Sequence, residues 1–323
     1  MGRNFPFSRM TDRLPAAYDV APPLSVVVFV KNAAATIERA LTSVLEHQSL
    51  SVELLVLDGG SADGTVGIIR GYQQRIAFWR SFPDGGPEFA IREGIERASG
   101  EVICLLPADD WLEPGALDHV AREFADDPEL DVLSCGVRIV HYEGGENLAV
   151  DAEFLDPKDL EFSIYNIVRR VLSGGRFIRR RISSQVGGYN PDYRMSNDLE
   201  FFIRVILARP KTKVLPRLVY TYCRHPASRT LGGDPGMVMA MMRGNIRVAA
   251  DHLARSPLRP DERRELRGFH GRCCARLAWM SLARGEPVET VKVLCQAVRE
   301  NCMWPIQVVY WLVQYALRSK PLM

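Results

Sequence analysis

The sequence predicts an α/β protein with a mostly parallel sheet, and two observations carry this prediction. Short apolar runs alternate with helical patterns over residues 24–106. Such alternation is typical of βαβ units, whose strands are parallel and whose crossovers are right-handed. From Pro235 onward the strand patterns stop and only helical periodicity remains. We therefore expect an α/β domain with flanking helices, followed by a helical C-terminal segment.

The elements of the parallel half are predicted from apolar runs that end at turn residues. Runs of this length between breakers are typical of strands buried on both faces. In chain order, strands are predicted at Leu24–Val30, Val52–Leu57, Ile76–Phe82 and Val102–Leu106, with helices up to Glu46, after Thr65 and over Glu88–Ala98.

Composition excludes several classes of protein. Of the 323 residues, 47% are apolar and 25% are charged, and the formal net charge is +2. This balance argues against a nucleic-acid-binding protein that acts through bulk charge. The seven cysteines form no CxxC pair and mostly sit in apolar patterns, which favours a reducing, cytoplasmic location. No apolar run reaches the length of a membrane span.

Two adjacent acids follow the fourth strand. The run Val102–Leu106 ends at Pro107, and Asp109 and Asp110 come next. Ligands of open α/β sheets bind just beyond the carboxyl ends of such strands. Two carboxylates there repel each other, and Mg²⁺ or Mn²⁺ with oxygen ligands would relieve that repulsion. The alternative is that the acids cap the helix that opens near Gly115.

The turn after the second strand offers another carboxylate. Asp58 ends that strand and is followed by Gly59-Gly60-Ser61. It can accept a hydrogen bond from a base N–H, or it can serve as a turn residue and helix cap. The sequence has neither a GxGxxG after the first strand nor a GxxxxGK[ST], so a Rossmann dinucleotide site and a P-loop are both unsupported.

Three segments, taken in order, resemble one enzyme family. SVVVFVKN, VLDGGSADGT and SFPDGGPEFAIREGIERASGEVICLLPADDW are similar to the N-terminal half of family 2 glycosyltransferases of the GT-A fold. The bacterial branch that reads EPDxGxYDAMNxGI before an xDD strand is especially similar. The resemblance covers about residues 24–225. It implies an inverting transfer of a sugar from a nucleotide diphosphate donor, with UDP as the expected nucleotide.

The same resemblance implies a setting for the reaction. The cofactor is expected to be Mn²⁺ or Mg²⁺. The acceptor is expected to be a hydroxyl of a saccharide or of a polyprenyl-linked molecule. The pathway is expected to build a bacterial surface polysaccharide.

The resemblance also assigns roles to individual acids. Asp58 matches the base-binding acid, and Asp84 matches the acid of the loop beside the donor. Asp109 matches the acid near the ribose, and Asp110 the acid that holds the metal against the diphosphate. Asp198 matches the catalytic base, because the hydroxyl of the acceptor must lose its proton as it attacks the anomeric carbon.

Departures from the family motif, and one loop residue, give further candidates for the site. The family's Tyr-Asp-Ala-Met-Asn is Glu88–Arg92 here, so Arg92 is expected to bind the nucleotide sugar, with Glu88 re-tuning sugar recognition. His225 lies where the family places a residue that reaches the diphosphate or the metal, although a lone loop histidine is often merely exposed. Glu200 is the fallback for the base.

The acceptor half is less regular. Strands are predicted at Leu130–Tyr142 and Val214–Tyr222, a helix over residues 157–173, and an amphipathic helix with Ser196 as its N-cap. The basic cluster Arg176–Arg181 faces either the acceptor cleft, where it would hold a phosphate, or the solvent.

The C-terminal part is predicted to be helical at Met237–Leu253, Asp261–Arg284, Val288–Asn301 and Pro305–Arg318. The last stretch is aromatic and flanked by basic residues. It lies either in a membrane interface, as in a peripheral protein of the inner face of the cell membrane, or against the domain or a second copy in a homodimer. The expected division is a polar tail at 1–22, a GT-A domain at 23–232 and a helical segment at 233–323.

Two other classes stay open at this level. A sugar-nucleotidyltransferase shares a similar sheet but needs a glycine-rich basic loop after the first strand, and Lys31–Ala35 is not such a loop. A non-catalytic, nucleotide-sugar-binding partner of another transferase is compatible with the departures at Phe29–Lys31 and Glu88–Arg92. Metal-dependent turnover of a donor separates an enzyme from such a partner.

Overall fold

The computed structural model describes residues 24–46, 52–144, 147–169, 174–225 and 234–299, together with Tyr310 and Val313. These residues form one mixed sheet with helices packed on it. The strands are β1 (Leu24–Val30), β2 (Val52–Asp58), β3 (Phe78–Ser81), β4 (Val102–Pro107), β5 (Trp111–Leu112), β6 (Val132–Gly144), β7 (Asn147–Phe154), β8 (Arg176–Arg179) and β9 (Thr212–Arg224).

The helices connect the strands and then extend the chain beyond the sheet. They are α1 (Ile37–Leu45), α2 (Thr65–Tyr72), α3 (Pro87–Arg97), α4 (Ala116–Asp126), α5 (Pro157–Leu160), α6 (Ile164–Ile167), α7 (Arg180–Val186), α8 (Asn197–Leu207), α9 (Pro235–Arg255), α10 (Pro260–Ala283) and α11 (Pro287–Arg299). Within the described ranges, no helix is both long enough and apolar enough to cross a membrane.

The sheet order is β3-β2-β1-β4-β8-β6-β9-β5, with β7 paired to β6. Strands β1 to β4 form a parallel half with β1 at its centre. In the second half β8 runs antiparallel to β4 and β6, β9 runs parallel to β6, and β5 runs antiparallel to β9. The predicted α/β architecture, with its parallel half and helical C-terminal part, is confirmed.

Side chains of β1 alternate between two hydrophobic cores, one on each face of the sheet. Val26 and Val28 pack with α1, α2 and α4, whereas Val27 faces a second core with α3 and α8. Helices α9 and α10 join this second core. A Cβ at Gly94 would lie 2.2 Å from Val27 Cγ1, so α3 approaches β1 closely because this residue is glycine.

Three local predictions need correction. The third strand begins at Phe78, not Ile76, and ends at Ser81. The predicted helix over 157–173 is two single turns in its described part, because Asp156 and Ser163 each cap a new turn and Glu161 between them is extended. The hairpin strand β7 was not predicted. Most of the predicted helix Pro305–Arg318 lies outside the described residues.

Candidate active site

The candidate site lies at the carboxyl ends of β1, β2 and β4, as expected for an open α/β sheet. The loops after β1 and β2 are tied together there. Asn32 Oδ1 accepts a hydrogen bond from the Ala62 amide at 2.9 Å, and the Asn32 amide donates to Ser61 Oγ at 2.7 Å. Asn32 has a φ of 52°, a left-handed conformation that asparagine tolerates better than most residues.

Asp58 is buried beneath this loop and does not face the site. Its Oδ2 accepts hydrogen bonds from the Gly60 amide at 3.2 Å, the Ser61 amide at 3.0 Å and Ser81 Oγ at 2.5 Å. Its Oδ1 accepts one from Ser61 Oγ, and the residue is 0% exposed. These contacts support the alternative interpretation, in which the Asp58 carboxylate folds the turn, and its role in binding a base stays a prediction.

Gly59 and Asp84 pack against each other beside this turn, and both are largely buried. A Cβ at Gly59 would lie 3.3 Å from Asp84 Oδ1 and 3.6 Å from Lys31 Cδ. Asp84 Oδ1 accepts a hydrogen bond from the Gly86 amide at 3.1 Å, and Asp84 Oδ2 lies 2.8 Å from Arg80 Nη1. Buried Arg80 also donates to the Asp58 carbonyl at 2.6 Å, so it joins the two turns.

Asp110 is also turned inward. It is 1% exposed, accepts a hydrogen bond from the Cys223 amide at 2.9 Å, and accepts another from the Tyr220 hydroxyl. Burial, and next the charge of Asp109, raise the pKa of Asp110 well above its ordinary value, although the two hydrogen bonds oppose this shift. Each Asp110 oxygen thus accepts a hydrogen bond from β9, and the role of Asp110 as a metal ligand stays a prediction.

Asp109 is the acid that points toward the site. Its side chain is 29% exposed, and its Oδ2 lies 3.0 Å from His225 Nε2. The helix-cap alternative for the two acids is excluded, because α4 starts after Gly115 and takes no side-chain cap.

Asp109 and His225 fit a divalent cation. Asp109 Oδ2 and His225 Nε2 are 3.0 Å apart, a hydrogen-bond distance. This is also about the spacing of neighbouring ligands on an octahedral ion with bonds of about 2.1 Å. In the described part of the chain no three His, Cys, Asp or Glu side chains form a ready-made metal cluster. Mg²⁺ and Mn²⁺ are commonly held by one or two protein ligands together with substrate phosphates, so two ligands suffice.

Asp198 lies in the first turn of α8. Its Oδ1 accepts a hydrogen bond from the Leu199 amide at 2.8 Å. The neighbouring Tyr189, stacked on Phe201 with ring centroids 4.9 Å apart, has a pKa raised well above its ordinary value, first by burial and then by the Asp198 charge. Asp198 therefore lies close to this aromatic pair.

The loop before Asp198 is held by helix α9. Met195 has a left-handed φ of 67°, and Ser196 Oγ donates a hydrogen bond to Asn245 Oδ1 at 2.8 Å. Ser196 occupies the N-cap position as predicted, but its side chain does not cap the helix. A Cβ at Gly244 would lie 2.5 Å from Ser196 Oγ, so this glycine permits the contact.

Other candidates lie away from the site or are engaged elsewhere. Arg92 is 53% exposed on α3 and pairs with Glu96 at 2.8 Å. Glu200, the fallback base, is paired with Arg204 at 2.7 Å. In the basic cluster, Arg176 and Arg179 are buried and donate to structural partners such as the Leu130 carbonyl, so they cannot hold an acceptor phosphate.

Sequence reasoning missed Arg80, Tyr220, Gly244 and Asn245. Only Gly244 carried a local signal, because a glycine inside a helical pattern often marks a close approach of backbone. Tyr220 and Asn245 act through partners 110 and 49 residues away. Arg80 pairs with nearby Asp84 but also donates to the Asp58 carbonyl, 22 residues away, and no local pattern marks any of the three.

Comparison with known proteins identifies the family. The family model described as Glycosyl transferase family 2 matches residues 25–187, half of the chain. The chain belongs to glycosyltransferase family 2. Succinoglycan biosynthesis protein ExoO of Rhizobium meliloti is 28% identical over 271 residues, which cover 79% of this chain and 76% of that protein. An uncharacterized glycosyltransferase of Mycobacterium tuberculosis (strain H37Rv) is 28% identical over 198 residues, 58% of this chain and 70% of that protein.

Solved structures share the fold of this glycosyltransferase. The mannosyltransferase PcManGT from Pyrobaculum calidifontis, in complex with GDP-Man and Mn²⁺, gives a TM-score of 0.57 at 17% identity and covers 95% of this chain and 83% of its own. S. aureus TarS 1–349 in complex with UDP-GlcNAc gives 0.55 at 16% identity and covers 86% of this chain and 92% of its own. The family match, the relatives and the shared fold establish the enzyme class as glycosyltransferase.

Proposed function

We propose that this glycosyltransferase transfers a sugar, with inversion, from a nucleoside diphosphate donor to a hydroxyl of a saccharide or lipid-linked acceptor, in a pathway that builds a bacterial surface polysaccharide. The 3.0 Å approach of Asp109 to His225 at the carboxyl end of β4 carries this proposal. The succinoglycan biosynthesis protein among its relatives supports the polysaccharide pathway. UDP is the first donor nucleotide to test, with GDP and dTDP as the alternatives.

The metal ligands in this proposal are Asp109 and His225. A divalent cation bound there supplies Lewis-acid stabilisation of the diphosphate leaving group. Asp110 supports the site indirectly in this proposal. It accepts hydrogen bonds from the Tyr220 hydroxyl and the Cys223 amide, which fix the segment after β4 and thereby the direction of the Asp109 side chain.

The nucleotide base is proposed to lie beside the turn after β2, next to Asp84. Buried Gly59 lets Asp84 and Lys31 pack close to this turn, because a Cβ there would lie 3.3 Å from Asp84 Oδ1 and 3.6 Å from Lys31 Cδ. Asp84 then accepts the hydrogen bond from the base N–H that the resemblance assigned to Asp58. The Arg80 guanidinium, 2.8 Å from Asp84 Oδ2, orients the Asp84 carboxylate.

Asp198 is proposed as the general base. Its carboxylate takes the proton of the acceptor hydroxyl as the hydroxyl oxygen bonds to the anomeric carbon, and the bond from that carbon to the diphosphate breaks on the opposite face. Attack from that face inverts the anomeric configuration. Asp84 contributes by orienting the donor, which lowers the entropic part of the barrier.

Calorimetry of UDP, GDP and dTDP binding, with and without Mn²⁺, tests the donor half of this proposal. We expect one nucleotide to bind wild type only with Mn²⁺, and Asp109→Ala to lose that metal-dependent binding. Asp126→Ala, at the end of α4 and away from the candidate site, serves as a matched aspartate control. Metal-independent binding, or full binding by Asp109→Ala, contradicts the assignment of Asp109.

Donor turnover tests the enzymatic half. The nucleotide that binds is supplied as a panel of its sugars with mixed saccharide acceptors, and release of nucleoside diphosphate is measured. An enzyme releases it in a metal-dependent manner. Tight, metal-dependent binding without release from any donor would instead support a non-catalytic nucleotide-sugar-binding protein.

A further inference from the structure

A second cavity lies beside the candidate site, between the start of α3 and helix α9. It has a volume of about 720 Å³ and is lined by Phe89, the loop Pro191–Arg194, Arg243, Gly244 and Arg247. Cavities that bind small molecules have volumes of roughly 300–1,000 Å³. The cavity, named here the α9 cleft, is therefore large enough for a short saccharide.

The charged groups that line the α9 cleft are mainly arginines. Arg194, Arg243 and Arg247 contribute three positive charges, against one negative charge from Asp192. Arg243 and Arg247 stand one turn apart on the same face of α9. Two guanidinium groups at this spacing suit the oxygens of a phosphate or a carboxylate, which arginine binds through paired N–H groups.

These arginines also have acidic neighbours: Arg194 lies 3.5 Å from the buried Glu88, whereas the contacts of Arg243 and Arg247 are weaker and exposed. Arg243 lies 3.2 Å from Glu289, Arg247 lies 3.9 Å from Asp251, and both arginine side chains are about half exposed or more, at 49% and 60%. Exposed pairs of this kind contribute little stability. A guanidinium has five N–H groups, so each arginine retains donors for a ligand.

The α9 cleft also offers aromatic surface. Phe89 is 38% exposed, and the Arg247 guanidinium stacks over the Tyr193 ring at 5.0 Å. A saccharide presents apolar C–H faces between its hydroxyls, and aromatic rings line many small-molecule sites. Charge and aromatic surface thus occur together in one cavity.

The position of the α9 cleft fits an acceptor. One wall is Phe89, which follows the loop that carries Asp84. The opposite wall, Pro191–Arg194, precedes Asp198 by only a few residues, and Gly244 of α9 touches the Ser196 side chain between them. A saccharide in the cleft therefore lies between the donor-side loop and the proposed base.

We propose that the α9 cleft binds the acceptor, and that the acceptor is an acidic saccharide whose phosphate or carboxylate group is held by Arg243 and Arg247. This inference rests on the proposed function and specifies its acceptor class. It replaces the expectation that the Arg176–Arg181 cluster holds an acceptor phosphate, because two of those arginines are buried.

Equilibrium binding of matched probes tests this proposal on the full chain with UDP and Mn²⁺ present. The pairs are glucose 1-phosphate against methyl glucoside, and trigalacturonate against its methyl ester. We expect the acidic member of one pair to bind at least about tenfold more tightly than its neutral partner. The responsive pair identifies the group as a phosphate or a carboxylate.

Variants on α9 locate the binding. The double variant R243Q/R247Q is expected to lose about tenfold in affinity for the acidic probe. Arg255→Gln, on the same helix and 78% exposed, is expected to retain wild-type affinity. Thermal unfolding checks the fold, and the single variants R243Q and R247Q replace the double variant if its melting temperature falls.

Three results overturn the proposal: neither acidic probe binds, acidic and neutral probes bind alike, or the arginine variants retain the preference. Metal-dependent UDP binding, measured in the same samples, reports separately on the proposed donor site. Loss of that signal counts against the proposed function, whereas the comparison of acidic and neutral probes still reports on the α9 cleft.

Discussion

The donor-side turn and the acceptor-side loop of this glycosyltransferase are held by different kinds of contact. In the turn after β2, Asp58 accepts hydrogen bonds from Gly60 and Ser61 of the same turn, and Ser81 and Asn32 add contacts from neighbouring elements. The loop before α8 is held from outside, by Gly244 and by Asn245, which lies 49 residues beyond its partner Ser196.

This difference teaches which half of the site a sequence motif can describe. A turn whose contacts come from its own motif keeps its shape wherever the motif occurs. A resemblance in sequence therefore locates such a turn correctly. A loop held by a distant helix takes its shape from that helix. Changes in α9 are therefore expected to affect transfer more than donor binding, and the predictions below test that separation, from the largest effect to the smallest.

The largest expected effect is that of Asp198→Asn on transfer. An amide cannot take the proton of the acceptor hydroxyl, and positioned general bases contribute roughly 10²–10⁴-fold to rate. We expect kcat to fall within that range while the Kd for UDP stays unchanged, measured by nucleoside diphosphate release and calorimetry. Glu200→Gln is the control, since Glu200 is paired with Arg204. An Asp198→Asn enzyme with full activity would falsify the base assignment.

Substitutions of the two adjacent acids are expected to have different effects: one lowers stability, and the other removes metal-dependent binding. Asp110→Ala leaves the Tyr220 hydroxyl and the Cys223 amide without their acceptor, and each such loss costs about 1–3 kcal/mol. We therefore expect the free energy of unfolding to fall by about 2–4 kcal/mol. Asp109→Ala is expected to change it by less than about 0.5 kcal/mol and to lose Mn²⁺-dependent UDP binding. Denaturant unfolding and calorimetry distinguish them, and equal stability of both variants contradicts this division.

The contact between α9 and the loop is tested by two glycine substitutions. Gly244→Ala places a Cβ 2.5 Å from Ser196 Oγ and 3.2 Å from the Arg194 carbonyl. The loop before Asp198 must shift, and we expect kcat to fall by roughly tenfold or more with an unchanged Kd for UDP. Gly268→Ala on α10 meets only the end of the Arg272 side chain, at 3.4 Å, and should raise stability slightly, as alanine does in a helix. Similar kinetics for both variants would show that the contact is unimportant.

The strands of the parallel half could be predicted because each is an apolar run between breakers. The orientation of the adjacent acids could not. Pairing of Leu112 with Tyr220 brings the Tyr220 hydroxyl to Asp110, and that partner lies 110 residues away in the chain. Asp58 was placed correctly in the turn, but its burial depends on Ser81 of the next strand. Sequence patterns locate such residues, and long-range pairing decides which way they point.

The smallest effect is expected from Arg92→Gln. The resemblance placed this residue near the nucleotide sugar, but its guanidinium pairs with Glu96 on the exposed face of α3. Exposed pairs one helical turn apart contribute only about 0.3–0.5 kcal/mol. The Arg92 guanidinium can therefore leave Glu96 and turn toward a bound donor at little cost. If Arg92 contacts the donor in this way, Arg92→Gln should raise the donor KM by about two- to threefold. The effect is small because the cost of breaking the Glu96 pair offsets part of the free energy gained from the donor contact. Glu96→Gln releases Arg92 and should lower the donor KM by a similar factor. If both variants raise the KM, Arg92 and Glu96 act as a structural pair on α3, and donor recognition rests on the turn after β2 and on Asp84.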